Sequence, residues 1–188
     1  MFNIEAQYKK EGAYSLVEMK LSEIRQLFNS FDPAPFREKD LDAHAETYIL
    51  DSVRELPLST PVKLVIHLPA GSCTNEMIEA VPAAVQTYFT YRAEITAKSL
   101  RAMLQQGRTA LIIGVLFLFT CLAAQQLLSS LHKTGLFWSI LEEGFLISGW
   151  VAMWRPMDVF LYEWWPIRRS LKVYRKLSKL LVDIRPYS

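Results

Sequence analysis

Two neighbouring carboxylates, Glu142 and Glu143, interrupt the apolar stretch Leu136 to Trp154, and ionisable groups in such a setting are candidates for function by default. A charged carboxylate in a lipid-spanning helix costs about 2.5 to 3.5 kcal/mol on insertion scales, and less towards the interface. A compensating group is therefore expected. The nearest cation in the same helix, Arg155, lies twelve residues beyond Glu143, about 18 Å along the axis, and is out of reach. The preceding apolar stretch, Thr109 to Leu131, supplies Gln125 and Gln126, which come level with Glu142 in an antiparallel hairpin folded about Lys133 and Thr134. The cluster Gln125, Gln126, Glu142 and Glu143 can bind an ion, relay a proton or receive a partner's cation. It can equally join the helices by hydrogen bonds with at least one Glu protonated. A second span that begins only near Gly144 leaves both carboxylates in water.

Arg155 and Asp158 are three apart and can pair on a helix if Pro156 occupies its first turn. With Glu163, Arg168 and Arg169 they suit an interfacial anchor or contacts with lipid head groups or a partner. Gly144, level with Ala123 and Ala124, and Gly149 offer a small-residue surface for close helix contact. His44, His67 and His132 fall on a helix, a strand and a loop, without a second metal ligand at usable spacing. The seven glycines form no phosphate-cradling loop or dinucleotide fingerprint, and no nucleophile motif is present. No catalytic residue, metal or cofactor is expected.

The elements that must position these groups are two helices. At about 1.5 Å per residue the stretches 109–131 and 136–154 extend roughly 34 and 28 Å, bracketing the ~30 Å hydrocarbon layer. The turn His132 to Gly135 is too short for a domain, so the helices are expected to lie antiparallel and in contact. Arg92, Lys98, Arg101 and Arg108 precede the first, and Arg155, Arg168, Arg169, Lys172, Arg175, Lys176 and Lys179 follow the second. Only Lys133 lies between, which places both termini in the cytoplasm. Tyr162, Trp164 and Trp165 fit an inner aromatic belt and Trp138 an outer one.

With 188 residues, 51% of them hydrophobic, and a net charge of +2, the chain is too apolar for an ordinary soluble domain and too charged for spans alone. The positive charge clusters beside the apolar stretches, so it implies no nucleic-acid partner. Cys73 and Cys121 fall in different compartments and form no disulfide. Met1 to Lys10 contains no apolar run, so the hairpin itself is expected to direct insertion.

The expected division is a cytoplasmic domain over 1–107, a transmembrane hairpin over 108–155 and an interfacial or cytoplasmic segment over 156–188. Residues 14–21 alternate as a strand, and Ser22 caps a short helix burying Ile24, Leu27, Phe28 and Phe31, which Pro33 and Pro35 end. Asp40 or Asp42 caps a second helix with Leu41, Ala45, Tyr48, Ile49, Val53 and Leu56 inside, stopping at Pro57. Val62, Leu64, Ile66 and Leu68 mark a second strand. Met77, Ile78, Val81, Val85, Tyr88 and Ile95 then describe a long helix, kinked or started by Pro82, that runs on into the first span. The fold class is thus α+β: a β-α-α-β-α domain whose last helix becomes a membrane span. A basic amphipathic helix over Ser170 to Leu181 follows, lying on the inner leaflet or against the domain. Two strands alone are marginal, so the exposed strand edge is available to a neighbour unless the helices cover the sheet.

The runs LFNSFDPAPFREKDLD, Leu27 to Asp42, and GWVAMWRPMDVFLYEWWPIRR, Gly149 to Arg169, resemble a family of small two-span inner-membrane proteins of bacteria, to which no activity is assigned. The likeness spans about Tyr14 to Arg169. It implies a bacterial inner-membrane setting and transfers no chemistry. It also singles out Asp32, Pro33, Phe36, Arg37 and Asp40 as a surface loop or a helix-to-helix turn. The expected function is a non-enzymatic assembly or accessory subunit, contacting lipids and either self-associating or joining a larger membrane complex. Alternatives are a homo-oligomeric ion or proton conductor using Glu142 and Glu143, and an enzyme acting on lipid at the Arg155 to Arg169 interface.

Overall fold

A computed structural model describes residues 7–36, 38–72, 75–130 and 135–187. Arg37, Cys73 and the turn residues His132, Lys133 and Thr134 lie outside the described residues. The chain forms two compact units, Met1–Thr96 with Arg169–Ser188, and Ala97–Arg168.

The first unit is a four-stranded mixed sheet with helices. β1 (Lys10–Glu11) turns at Gly12, whose φ of 61° favours glycine, and runs antiparallel to β2 (Tyr14–Lys20). β3 (Val62–Pro69) lies parallel to β2, and β4 (Leu181–Tyr187) parallel to β3, in the spatial order β1-β2-β3-β4. Both parallel crossovers step the same way across the sheet, so the right-handed rule puts their helices on one face. That face carries Val17, Met19, Leu64, Ile66 and Leu68, all buried. Ile49 and Val53 of α1 (Ala43–Glu55), Val85 and Phe89 of α2 (Asn75–Ser130), and Leu171 and Leu177 of α5 (Trp164–Leu177) supply the rest of the core.

The strands and helices differ from the sequence expectation at particular points. β1 and β4 were not anticipated, and β4 begins at Leu181, a residue expected to be helical. Its alternation of Val182 and Ile184 with Asp183 and Arg185 is the strand signal. The helix expected from Ser22 is a single 3-10 turn, Ile24–Leu27. Phe28 is already extended there and bridges to Leu41, and Phe31 is 92% exposed rather than buried. Asp42 does cap α1, accepting from the His44 amide at 2.9 Å. The expected open edge on β3 is closed by β4. The outer edge of β4 contains Pro186, which lacks an amide donor, and the Glu18 carbonyl on β2 is taken by the Tyr48 hydroxyl at 2.7 Å.

The second unit interrupts the crossover from β3 to β4. It contains the later part of α2, then α3 (Leu136–Ala152), α4 (Trp154–Asp158), a π-helical turn (Val159–Glu163) and the start of α5. α2 is continuous from Asn75 to Ser130, with Pro82 inside it. Gly107, Gly114 and Cys121 recur every seven residues along one face and are all buried. A Cβ at Gly107 would lie 2.6 Å from Val159 Cγ1, one at Gly114 3.0 Å from the Ala152 carbonyl, and one at Gly149 2.8 Å from Leu118 Cδ1. Descending partner numbers on one helix against ascending numbers on the other make α2 and α3 antiparallel and in close contact. α2 and the continuous helical run Leu136–Leu177 that begins with α3 are long and apolar enough to cross a membrane, and only 11% and 6% of their most apolar stretches is buried.

Candidate functional site

Continued by two turns, the register set by Gly114 and Gly149 brings Glu142 to the level of Gln125. Helical rotation then divides the polar cluster into two pairs. Gln125 and Glu142 are half-buried, on the side of the helices that carries the seam, whereas Gln126 and Glu143 are exposed. Among the described residues no side-chain hydrogen bond joins any of these four. Two consecutive residues of a helix project about 100° apart, so both carboxylates cannot serve one inward-facing site. The two glycines separate likewise. Gly149 meets Leu118 and Cys121, while Gly144 has no atom within 4 Å of where its Cβ would stand and faces outward.

At the other end of the hairpin the expected pairing of Arg155 with Asp158 is replaced. Arg155 reaches across the π-helical turn to Glu163, as a two-pronged ion pair whose second bond is 3.2 Å. An extra residue per turn brings the eighth residue on within reach of a long side chain. Pro156 sits in the first turn of α4, where its missing amide is tolerated. Arg168 stacks over Trp164 with its guanidinium carbon 5.3 Å from the ring, and the Trp164 indole N–H donates to the Phe160 carbonyl at 2.7 Å. Asp158 and Arg169 make no ion pair among the described residues. Trp154, Tyr162 and Trp165 are exposed, so cationic and aromatic groups mix along this segment.

The first unit holds two polar constellations that sequence spacing did not reveal. One joins α1, α2 and α5: the Tyr88 hydroxyl donates to Glu46 at 2.7 Å, Arg92 Nε donates to Glu46 at 2.9 Å, and the Tyr174 hydroxyl lies 3.3 Å from both Glu46 and Arg92. Burial, then the hydrogen bond to Glu46, pushes the Tyr88 phenol well above its ordinary range. The second crosses the helix-free face of the sheet. Lys63 binds Glu11 at 2.9 Å and Asp183 at 3.1 Å, and Arg185 binds Glu11 and Asp183. Hydrogen bonds from Arg185 and Lys63 hold the Glu11 carboxyl below the usual carboxylate range. Beside this chain Lys9 and His67 both bind Glu18, at 2.8 and 3.2 Å. Apart from Lys9 with Glu18 and Arg185 with Asp183, the partners lie 42 to 174 residues apart in sequence, so only the assembled sheet and helices bring them together.

Asp32 organises the loop between the 3-10 turn and α1, accepting from the Ala34 amide at 2.9 Å and the Asp40 amide at 2.7 Å. Phe36 packs against Phe28 with ring centroids 4.7 Å apart. The amides of Ala34 and Asp40 thus hold Asp32, while the alternative of a turn with Arg37 paired to a neighbouring carboxylate falls on a residue outside the described ones. Among the described residues no group of three or more His, Cys, Asp and Glu side chains converges as a metal site would require. No protein-family model, curated protein or solved structure matches the chain.

Proposed function

We propose that the chain is an integral protein of the bacterial inner membrane, with both termini in the cytoplasm, and that it serves as a non-enzymatic assembly or accessory subunit. The observation that supports this reading is the exposure of the apolar helices. Core helices of a soluble protein bury their apolar stretches, but here almost nine-tenths or more of each is left uncovered within the chain. Lipid is the solvent that satisfies such a surface while the helices satisfy their own backbones. The charge asymmetry around the hairpin supports the cytoplasmic placement of the termini, and the aromatic and cationic segment from Trp154 to Arg169 suits the inner interface.

The subunit role draws on the outward-facing half of the polar and small-residue set. Gly144 is open, and Glu143 and Gln126 are exposed beside the same apolar surface, without a side-chain partner among the described residues. Polar groups at membrane depth find partners in neighbouring helices, either of a second copy or of another protein. Native mass spectrometry of protein extracted gently from its own membrane tests this. The expected result is a species at a multiple of 21.7 kDa, or stoichiometric foreign chains, with loss of either assembly in Gly144→Leu. A wild-type monomer, or a Gly144→Leu variant that assembles like wild type, would overturn the outward-facing interface.

A further inference from the structure

We infer that the sheet and the hairpin check one another: β4 cannot close the sheet while only one of the two apolar helices has crossed the bilayer. This rests on the membrane reading of α2 and α3. β3 and β4 pair in parallel from Lys63 with Leu181 to Pro69 with Tyr187, yet the second unit, residues 97–168, lies between them in sequence. Both ends of the hairpin therefore lead into one folded unit, which requires an even number of crossings. A chain that has crossed once leaves β4 on the opposite side from β3.

The groups that hold β4 come from every other strand and from α2. Asp183 binds Lys63 of β3, Arg185 binds Glu11 of β1, and the Tyr187 hydroxyl donates to the Leu21 carbonyl just beyond β2. Lys20 of β2 lies 4.1 Å from the centroid of the Tyr187 ring, and Gln86 of α2 donates to the Leu180 carbonyl at 2.9 Å. Without β4, the backbone donors and acceptors along one side of β3 lose their partners. Leu64, Val65, Ile66 and Leu68, all fully buried, then sit on an open sheet edge. The unclosed state is thus unstable and easily attacked, so a half-inserted chain is marked by an open sheet.

The test uses the full chain in membrane vesicles, with resistance to carbonate extraction reporting insertion and amide exchange reporting β3 protection. Wild type is expected to resist extraction and protect β3. Ile184→Pro, which disrupts β4 alone, is expected to stay inserted and lose that protection. Deleting Leu136 to Trp154 leaves one crossing and is expected to abolish β3 protection in a chain that still resists extraction. Replacing the deleted stretch with an unrelated Leu/Ala span of the same length is expected to restore it, because the number of crossings is what matters. Protection of β3 that survives the deletion or Ile184→Pro, or that the Leu/Ala span fails to restore, overturns the inference. Extraction of the wild type by carbonate instead overturns the membrane reading beneath it.

Discussion

Glu142 and Glu143 are adjacent in sequence and separate in space, which changes what each substitution should do. Glu142 sits half-buried level with Gln125, whereas Glu143 points outward with Gly144. Residue types alone mark the four polar groups, and counting residues along two antiparallel helices sets Glu142 level with Gln125. Which of them point inward depends on the rotation of each helix about its axis, and that is set by where the glycines pack. The same packing gives a prediction for Gly149. Its Cβ alone would crowd Leu118 Cδ1 at 2.8 Å and Cys121 Cβ at 3.3 Å. Gly149→Leu is expected to destabilise the hairpin by about 1–3 kcal/mol, the usual cost of overpacking. Gly144→Leu is expected to leave it unchanged within about 0.5 kcal/mol, since open positions tolerate substitution. Unfolding in mixed detergent micelles, followed by tryptophan fluorescence, measures both.

At the level of elements, β4 is the clearest departure from the sequence reading. A run of leucines at helical spacing, Leu171, Leu177, Leu180 and Leu181, suggests a helix continuing through Leu181, but α5 ends at Leu177 and the chain turns into a strand. The β2 and β3 strands and α1 were legible because their apolar alternation or helical stripe is unbroken and their ends carry Pro or a capping Asp. β1 is too short for any period to show, and the 3-10 turn goes no further than Leu27 because Phe28 is extended and bridges to Leu41, a pairing with no local signature. β4 also carries a prediction about acid. Burial opposes ionisation of Asp183, but hydrogen bonds from Lys63 and Arg185 prevail and hold its carboxyl below the usual range, as they do for Glu11. A carboxyl whose pKa is lower in the folded state binds its proton more readily when unfolded, so its stabilisation is present above the unfolded pKa and is lost as pH falls through the folded one. The urea midpoint of the first unit is expected to fall on acidification from pH 5 to pH 3, and to fall less in the double variant Glu11→Gln/Asp183→Asn. An equal fall in both would remove these two carboxyls as the cause.

For the whole molecule, composition and charge placement already pointed to one domain and one hairpin. They did not reveal that the domain is assembled from both sides of the hairpin, because parallel pairing of β3 with β4 leaves no local signature in either strand. The pairing predicts common accessibility. Single cysteines placed at the exposed residues Lys10 and Lys179, in a background with Cys73 and Cys121 replaced by Ser, should react with a membrane-impermeant maleimide from the same face of sealed vesicles. Labelling from opposite faces would contradict the parallel sheet. The seven-residue recurrence of Gly107, Gly114 and Cys121 carries a mechanical consequence. A straight α-helix drifts about 20° over each such repeat, so a seam that keeps strict sevens stays in register only if the helices wind round each other in a left-handed supercoil. Glycine at two of those positions lets the axes approach closely, and in the proposed membrane setting a pair wound this tightly would tilt and turn as one body when the bilayer thins or thickens.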